Sequence, residues 1–219
     1  MLMGHYSAAF VAKAVAPRTP LFALFIAVQF VDILWASFIL AGVEHARLDP
    51  SLRSNALVLY HMPYTHSLLA TLGWSLLAGA VAALFSRKRG EAFTVGVAVG
   101  TCVLSHFVLD ALVHRPDLIV FGYDKIGLSL WNYPIVALLL EVCLLGASFL
   151  WLWSAHPTSR SRALALFAGV MLVAQIVSTV GPQPPTVTAI AASVLATFIV
   201  LACAVGWIER RFSAGEPFA

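Results

Sequence analysis

From residue 21 to residue 43 the chain runs for 23 residues with one charged side chain, Asp32, among them. A helix needs about 20 consecutive apolar residues to cross the hydrocarbon core of a bilayer. A run of this length therefore reads as a membrane span, and it is too long for the apolar region of a cleavable leader. Further stretches of the same kind lie at 67–85, 92–113, 134–153, 163–180 and 188–207. Charged residues are only 11% of the chain, against about 25% in soluble proteins, so there is too little charge to cover a water-facing surface. The expectation is an all-α fold: one polytopic bundle of six transmembrane helices over residues 1–219, with the lipid bilayer as its surroundings.

The punctuation between spans agrees. Pro20, Pro63 and Pro134 precede or open helices, where a missing N–H costs nothing. Arg87-Lys88-Arg89-Gly90 closes the second span, and Gly181-Pro182-Gln183-Pro184-Pro185 forms a stiff turn between the last two. Trp131, Tyr133, Trp151, Trp153 and Trp207 sit at span ends, as in an interfacial aromatic belt. With six spans, one side holds Lys13, Arg18, Arg87, Lys88, Arg89, Arg160, Arg162, Arg210 and Arg211; the other holds only Arg47, Arg53, Arg115 and Lys125. The positive-inside rule then puts both termini in the cytoplasm. Residues 2–16 are too short to span, and read as an interfacial helix anchored by Lys13 and Arg18, or as a re-entrant one if protein buries its backbone.

Other classes fall away. A net charge of +3, scattered along the chain, gives no footprint for nucleic acid. Cys102, Cys143 and Cys203 lie in apolar stretches without CxxC spacing and read as small buried hydrophobes. There is no internal repeat. Gly96 and Gly100 form a GxxxG pair, which by default packs two helices of one subunit; no other oligomerisation signal is present.

Polar residues inside the spans carry the chemistry. A charge at mid-membrane costs about 2.5–3.5 kcal/mol on insertion scales and normally faces the bundle interior for a function. Asp32 lies midway along the first span, and Glu141 and Gln175 lie in the fourth and fifth. His106, Asp110 and His114 are four residues apart and so share one stripe of a helix. His61 and His66 flank Pro63 at the entry to the second span, on the face that the third span approaches with His106 to His114. The topology thus gathers these groups into one layer. Imidazole and carboxylate suit Zn²⁺ or another first-row divalent ion, and a free carboxylate, Asp32 or Glu141, would serve as general base for an attacking water. Gln175 reads as hydrogen-bonding glue between helices. His45 and His156 read as interfacial, and Arg115 with Asp117 as a pair within the loop 114–133.

Three segments carry a resemblance: Gly4-His5-Tyr6, HMPYTHSLL at 61–69 and SHFVLDALVHRPDL at 105–118. Together they resemble the bacterial inner-membrane family of membrane-bound metal-dependent hydrolases, over about the first 132 residues. LDP at 48–50, HRPDL at 114–118 and GLSLWN at 127–132 look closer still to an uncharacterised six-span bacterial branch. The resemblance implies a site on His5, Asp32, His61, His66, His106 and Asp110. Met62 and Pro63 stand where the family has Arg-Gly, and the family's Asp-x-Asp-His pattern shrinks to Asp32 followed by Ile33 and Leu34. A missing ligand would then come from Glu44, His45 or Glu141. A fainter similarity to zinc-dependent phospholipase C points towards phosphoesters.

The leading expectation is a membrane-embedded, metal-dependent hydrolase of the bacterial inner membrane, acting on an ester or phosphoester of a lipid-like substrate. His66, His106, Asp110, His61 and His5 are its metal-ligand candidates, Asp32 and Glu141 its catalytic candidates, and zinc its expected ion. The charge count places His5 away from the other positions unless residues 2–16 dip into the bundle. Alternatives of other classes are a small transporter using the cluster as a proton or cation relay, and a structural membrane protein whose polar network fixes helix packing.

Overall fold

The computed structural model describes residues 1–52, 55–86, 89–156 and 161–212. Arg53, Arg87, Lys88 and Arg160, counted in the charge bias, lie outside the described residues. Eight α-helices are present among those described: α1 (Tyr6–Val15), α2 (Leu21–Val28), α3 (Phe30–Leu40), α4 (Leu68–Leu84), α5 (Ala92–Val113), α6 (Pro134–Ala155), α7 (Arg162–Val180) and α8 (Val187–Phe212). Two antiparallel hairpins join them, β1 (His45–Leu48) with β2 (Leu57–His61), and β3 (Leu118–Phe121) with β4 (Asp124–Ile126).

Each of the six apolar stretches is helical, but they are not six equal spans. Four helices are long and apolar enough to cross a membrane, α5 to α8, and a fifth candidate is the α2–α3 pair, bent by 55°. Helix α4 has 17 residues. The bend falls at Gln29, a buried amide whose Nε2 donates to the Leu2 carbonyl at 2.9 Å. The packing is inverted relative to a water-soluble protein. Leu69, Leu76, Leu84, Leu166, Val173 and Val200 project outward, while Gln29, His66, His106, Asp110, Glu141 and Gln175 are buried. Such a surface suits lipid and would be an aggregation patch in water. Cys102 is buried, but Cys143 and Cys203 lie on the exposed faces, where an apolar thiol has no penalty in lipid.

Helix α1 is largely buried in protein. Tyr6, Ala9 and Phe10 are fully buried, and α1 packs on α2 and α6. Its Lys13 Nζ meets Glu209 Oε1 at 2.5 Å and the Thr19 carbonyl at 3.0 Å, so its charge is neutralised by protein. Burial of this kind is what the re-entrant alternative requires of α1. At about 1.5 Å per residue, its ten residues carry the chain about 15 Å, half of a hydrocarbon core of about 30 Å.

Helices α4 and α5 pack backbone to backbone. A Cβ on Gly79 would lie 2.8 Å from the Gly96 carbonyl oxygen, and one on Gly96 would lie 2.9 Å from that of Gly79. Ser75 Oγ donates to the Gly100 carbonyl at 2.7 Å. The Gly96–Gly100 pair is thus used within the subunit. The hairpins, which helical periodicity did not announce, lie in the loops before α4 and after α5. Arg115 ties them together, donating from Nε to Asn132 Oδ1 at 2.9 Å and from Nη1 to the Asn55 carbonyl at 3.1 Å. The Asp117 amide donates to the Arg115 carbonyl at 2.6 Å, and the Asp117 carboxylate turns to His114 Nδ1 at 2.9 Å.

Candidate metal centre

Helix α5 supplies the stripe. Its four-residue spacing sets His106, Asp110 and His114 one above another on the buried face, with His114 just past the last turn. The His106 and His114 Nε2 atoms lie 3.2 and 3.3 Å from Asp110 Oδ2. From the turn before α4, His66 brings its Nε2 to 3.6 Å from the same oxygen and to 3.3 Å from Asp32 Oδ1. Asp32, on α3, is also 3.5 Å from His106 Nε2. His5, at the start of α1, stacks face to face on His106 with ring centres 3.8 Å apart, and its Nε2 is 3.1 Å from Asp110 Oδ1.

The far side of three imidazoles fixes what the near side offers. His106 Nδ1 is 2.8 Å from the carbonyl of Val28, at the α2–α3 bend. A carbonyl only accepts, so Nδ1 carries the proton. His114 Nδ1 is 2.9 Å from Asp117 Oδ1, which again makes it the donor. His66 Nδ1 is 2.9 Å from Thr65 Oγ1, whose own hydrogen goes to Glu44 Oε2 at 2.6 Å. The hydroxyl has one hydrogen, so it accepts from His66. In their neutral forms these rings point a bare Nε2 lone pair at carboxylate oxygens. Lone pairs facing lone pairs repel unless a cation or added protons lie between them. Moreover, His5 Nε2 and His106 Nε2 are buried and make no hydrogen bond, although Asp110 oxygens are within 3.2 Å. They are close but not aligned for N–H···O. The donor set fits a divalent ion, with three groups of ligand atoms each lying within 4.8 Å of one another.

Residues 1–4 are threaded through the bundle beside this cluster. Glu141 Oε2 accepts from the amides of Leu2 (2.9 Å) and Gly4 (3.1 Å), and Gln175 Oε1 accepts from Met3 N at 3.0 Å. The Met1 nitrogen is 2.6 Å from Asp110 Oδ1. A Cβ on Gly4 would be 3.0 Å from Glu141 Cγ, so the Gly of the Gly-His pair is there for close approach. His66 is fixed by a further backbone bond, its carbonyl accepting from Ile119 N of β3 at 3.2 Å.

The structure therefore brings together five of the expected residues, His5, Asp32, His66, His106 and Asp110. It does not bring in His61. A register shift at the end of the first hairpin sets His45 opposite His61 but Ala46 opposite Leu59. This takes His61 off the buried face shared by Leu57 and Leu59 and leaves it exposed, stacked near His45. Glu141 lies outside the ligand groups: its Oε2 accepts from the Leu2 and Gly4 amides, and the residue also lines the cavity that adjoins the cluster. His156 Nε2 donates to the Ala14 carbonyl at 2.9 Å, the role of a hydrogen-bonding group. The sequence reading lacked Gln29 and Thr65, and it left His114 out of the ligand set although the stripe signalled it.

A cavity of about 410 Å³ adjoins the cluster. Asp32, His66, Asp110 and His114 face it, and Trp35, Leu57, Leu138, Ile190 and Val194 give it apolar walls. No protein-family model, curated protein or solved structure matches the chain.

Proposed function

We propose that this chain is a membrane-embedded metal-dependent hydrolase that acts on an ester or phosphoester of a lipid-like molecule. The observation that carries the reading is the convergence of bare imidazole Nε2 atoms and two carboxylates beside a cavity with apolar walls. In the same reading the bent α2–α3 pair and the short α4 complete six spans in a bacterial inner membrane. The Lys and Arg bias sets both termini in the cytoplasm, and the ion is zinc. His66, His114 and Asp110 would hold it at the cavity. A divalent ion held there supplies Lewis acidity and brings the pKa of a water near neutrality. Asp32 borders both the cluster and the cavity, which suits a general base taking the proton of the attacking water. The apolar walls would receive acyl chains, and the Glu44–Thr65–His66 relay keeps the His66 lone pair turned inward.

The test is metal analysis of detergent-purified protein together with hydrolysis of fluorogenic carboxyl esters and phosphodiesters. Asp32→Asn should retain metal and lose about 10²–10⁴-fold in rate, the usual contribution of a general base. Folded wild-type protein that never retains Zn²⁺ sinks the reading.

A further inference from the structure

The three groups of ligand atoms overlap in an informative way. They are His5, His106 and Asp110; Asp32, His66 and His106; and His66, Asp110 and His114. With Nδ1 committed, each of His66 and His106 has one lone pair to offer and serves one ion. The middle group shares His106 with the first and His66 with the third, so it cannot be filled alongside either. The first and third share only Asp110, which has two oxygens. We propose, building on the metal-centre reading above, that the cluster holds two divalent ions bridged by Asp110.

Asp110 presents an oxygen to each set: Oδ1 faces His5 at 3.1 Å, and Oδ2 faces His114 at 3.3 Å and His66 at 3.6 Å, with His106 also 3.2 Å from Oδ2 and so between the two places. The two places differ in access. His5 and His106 are fully buried and do not border the cavity, whereas His66 and His114 do. One ion is enclosed and the other meets substrate. Two buried Nε2 atoms without hydrogen-bond partners, those of His5 and His106, both belong to the enclosed set. Asp32 Oδ1 is 3.3 Å from His66 and 3.5 Å from His106, one imidazole of each set, so its carboxylate faces both ions. A pair of ions about 3.5–4 Å apart suits in-line displacement at phosphorus, holding the attacking and leaving oxygens.

The experiment is zinc stoichiometry on the full chain in detergent, followed by electron paramagnetic resonance after exchange of zinc for Mn²⁺. Two ions per chain with an exchange-coupled Mn²⁺ signal are expected, falling to one uncoupled ion in both His5→Ala and His114→Ala. One ion in the wild type, unchanged in His5→Ala, overturns the pair while leaving the hydrolase reading intact. Two ions without coupling overturn the Asp110 bridge. No ion in folded wild type removes both readings at once. Stoichiometry and coupling are read on the wild type, so a variant that fails to fold leaves the test decisive.

Discussion

The two halves of the bundle treat their buried polar groups in opposite ways. Helices α3 and α5 and the turn before α4 send side chains to one another, so that Asp32, His66, His106, Asp110 and His114 meet tip to tip. Helices α6 and α7 send Glu141 and Gln175 to backbone amides of residues 2–4 instead. One half makes a site, and the other holds a segment that completes it with His5. A buried carboxylate in a membrane is therefore not by itself a catalytic group. What it faces decides its use: lone pairs need a cation, whereas N–H groups already satisfy it.

That contrast can be broken most directly at Asp110. Asp110→Asn should abolish metal binding and destabilise the fold by about 3–5 kcal/mol, the cost of removing one partner from a buried charged network. Metal analysis and thermal unfolding in detergent check it, and retained metal would mean that the α5 stripe is not the ligand row. On the other side, Glu141→Gln should cost about 1.5–3 kcal/mol, since it loses charge-assisted bonds to two amides. It should loosen residues 1–5 to hydrogen exchange yet leave metal bound by His66 and His114. Complete metal loss would erase the distinction between the halves. Gly4→Ala probes the same clamp through shape, with an expected loss of about 1–3 kcal/mol from overpacking against Glu141. Smallest of all, His61→Ala should change stability by less than about 0.5 kcal/mol, as for exposed sites generally, with metal content unchanged.

The sequence made the helices legible because apolar length and the Lys/Arg clusters report directly on lipid. The His106–Asp110–His114 stripe was legible for a similar reason: a helix turns spacing into direction. His61 and His66 had no such guide. Five residues apart around Pro63, they part company because a hairpin irregularity turns one outward, and register of that kind leaves little trace in composition. His5 seemed to sit on the wrong side because Lys13 and Arg18 mark one face. Those charges lie near and beyond the C-terminal end of α1, whereas His5 lies at its N-terminal end, about 15 Å of helix away. The break at Gln29 was hidden because nothing in the local apolar run marks it, and the partner of the Gln29 amide, the Leu2 carbonyl, lies 27 positions away.

The threading of residues 2–4 also imposes an order on assembly. Gly4 finds its partner 137 residues later, at Glu141, and Met3 finds Gln175 after 172. Until α6 and α7 are in place, the first segment lacks its bonds to Glu141 and Gln175 and is held only by its contacts with α2 and α5, such as the Gln29 bond to the Leu2 carbonyl and the stacking of His5 on His106. The seat of residues 2–4 is thus completed by α6 and α7, so the His5 side of the cluster takes its final form only after those helices have been made.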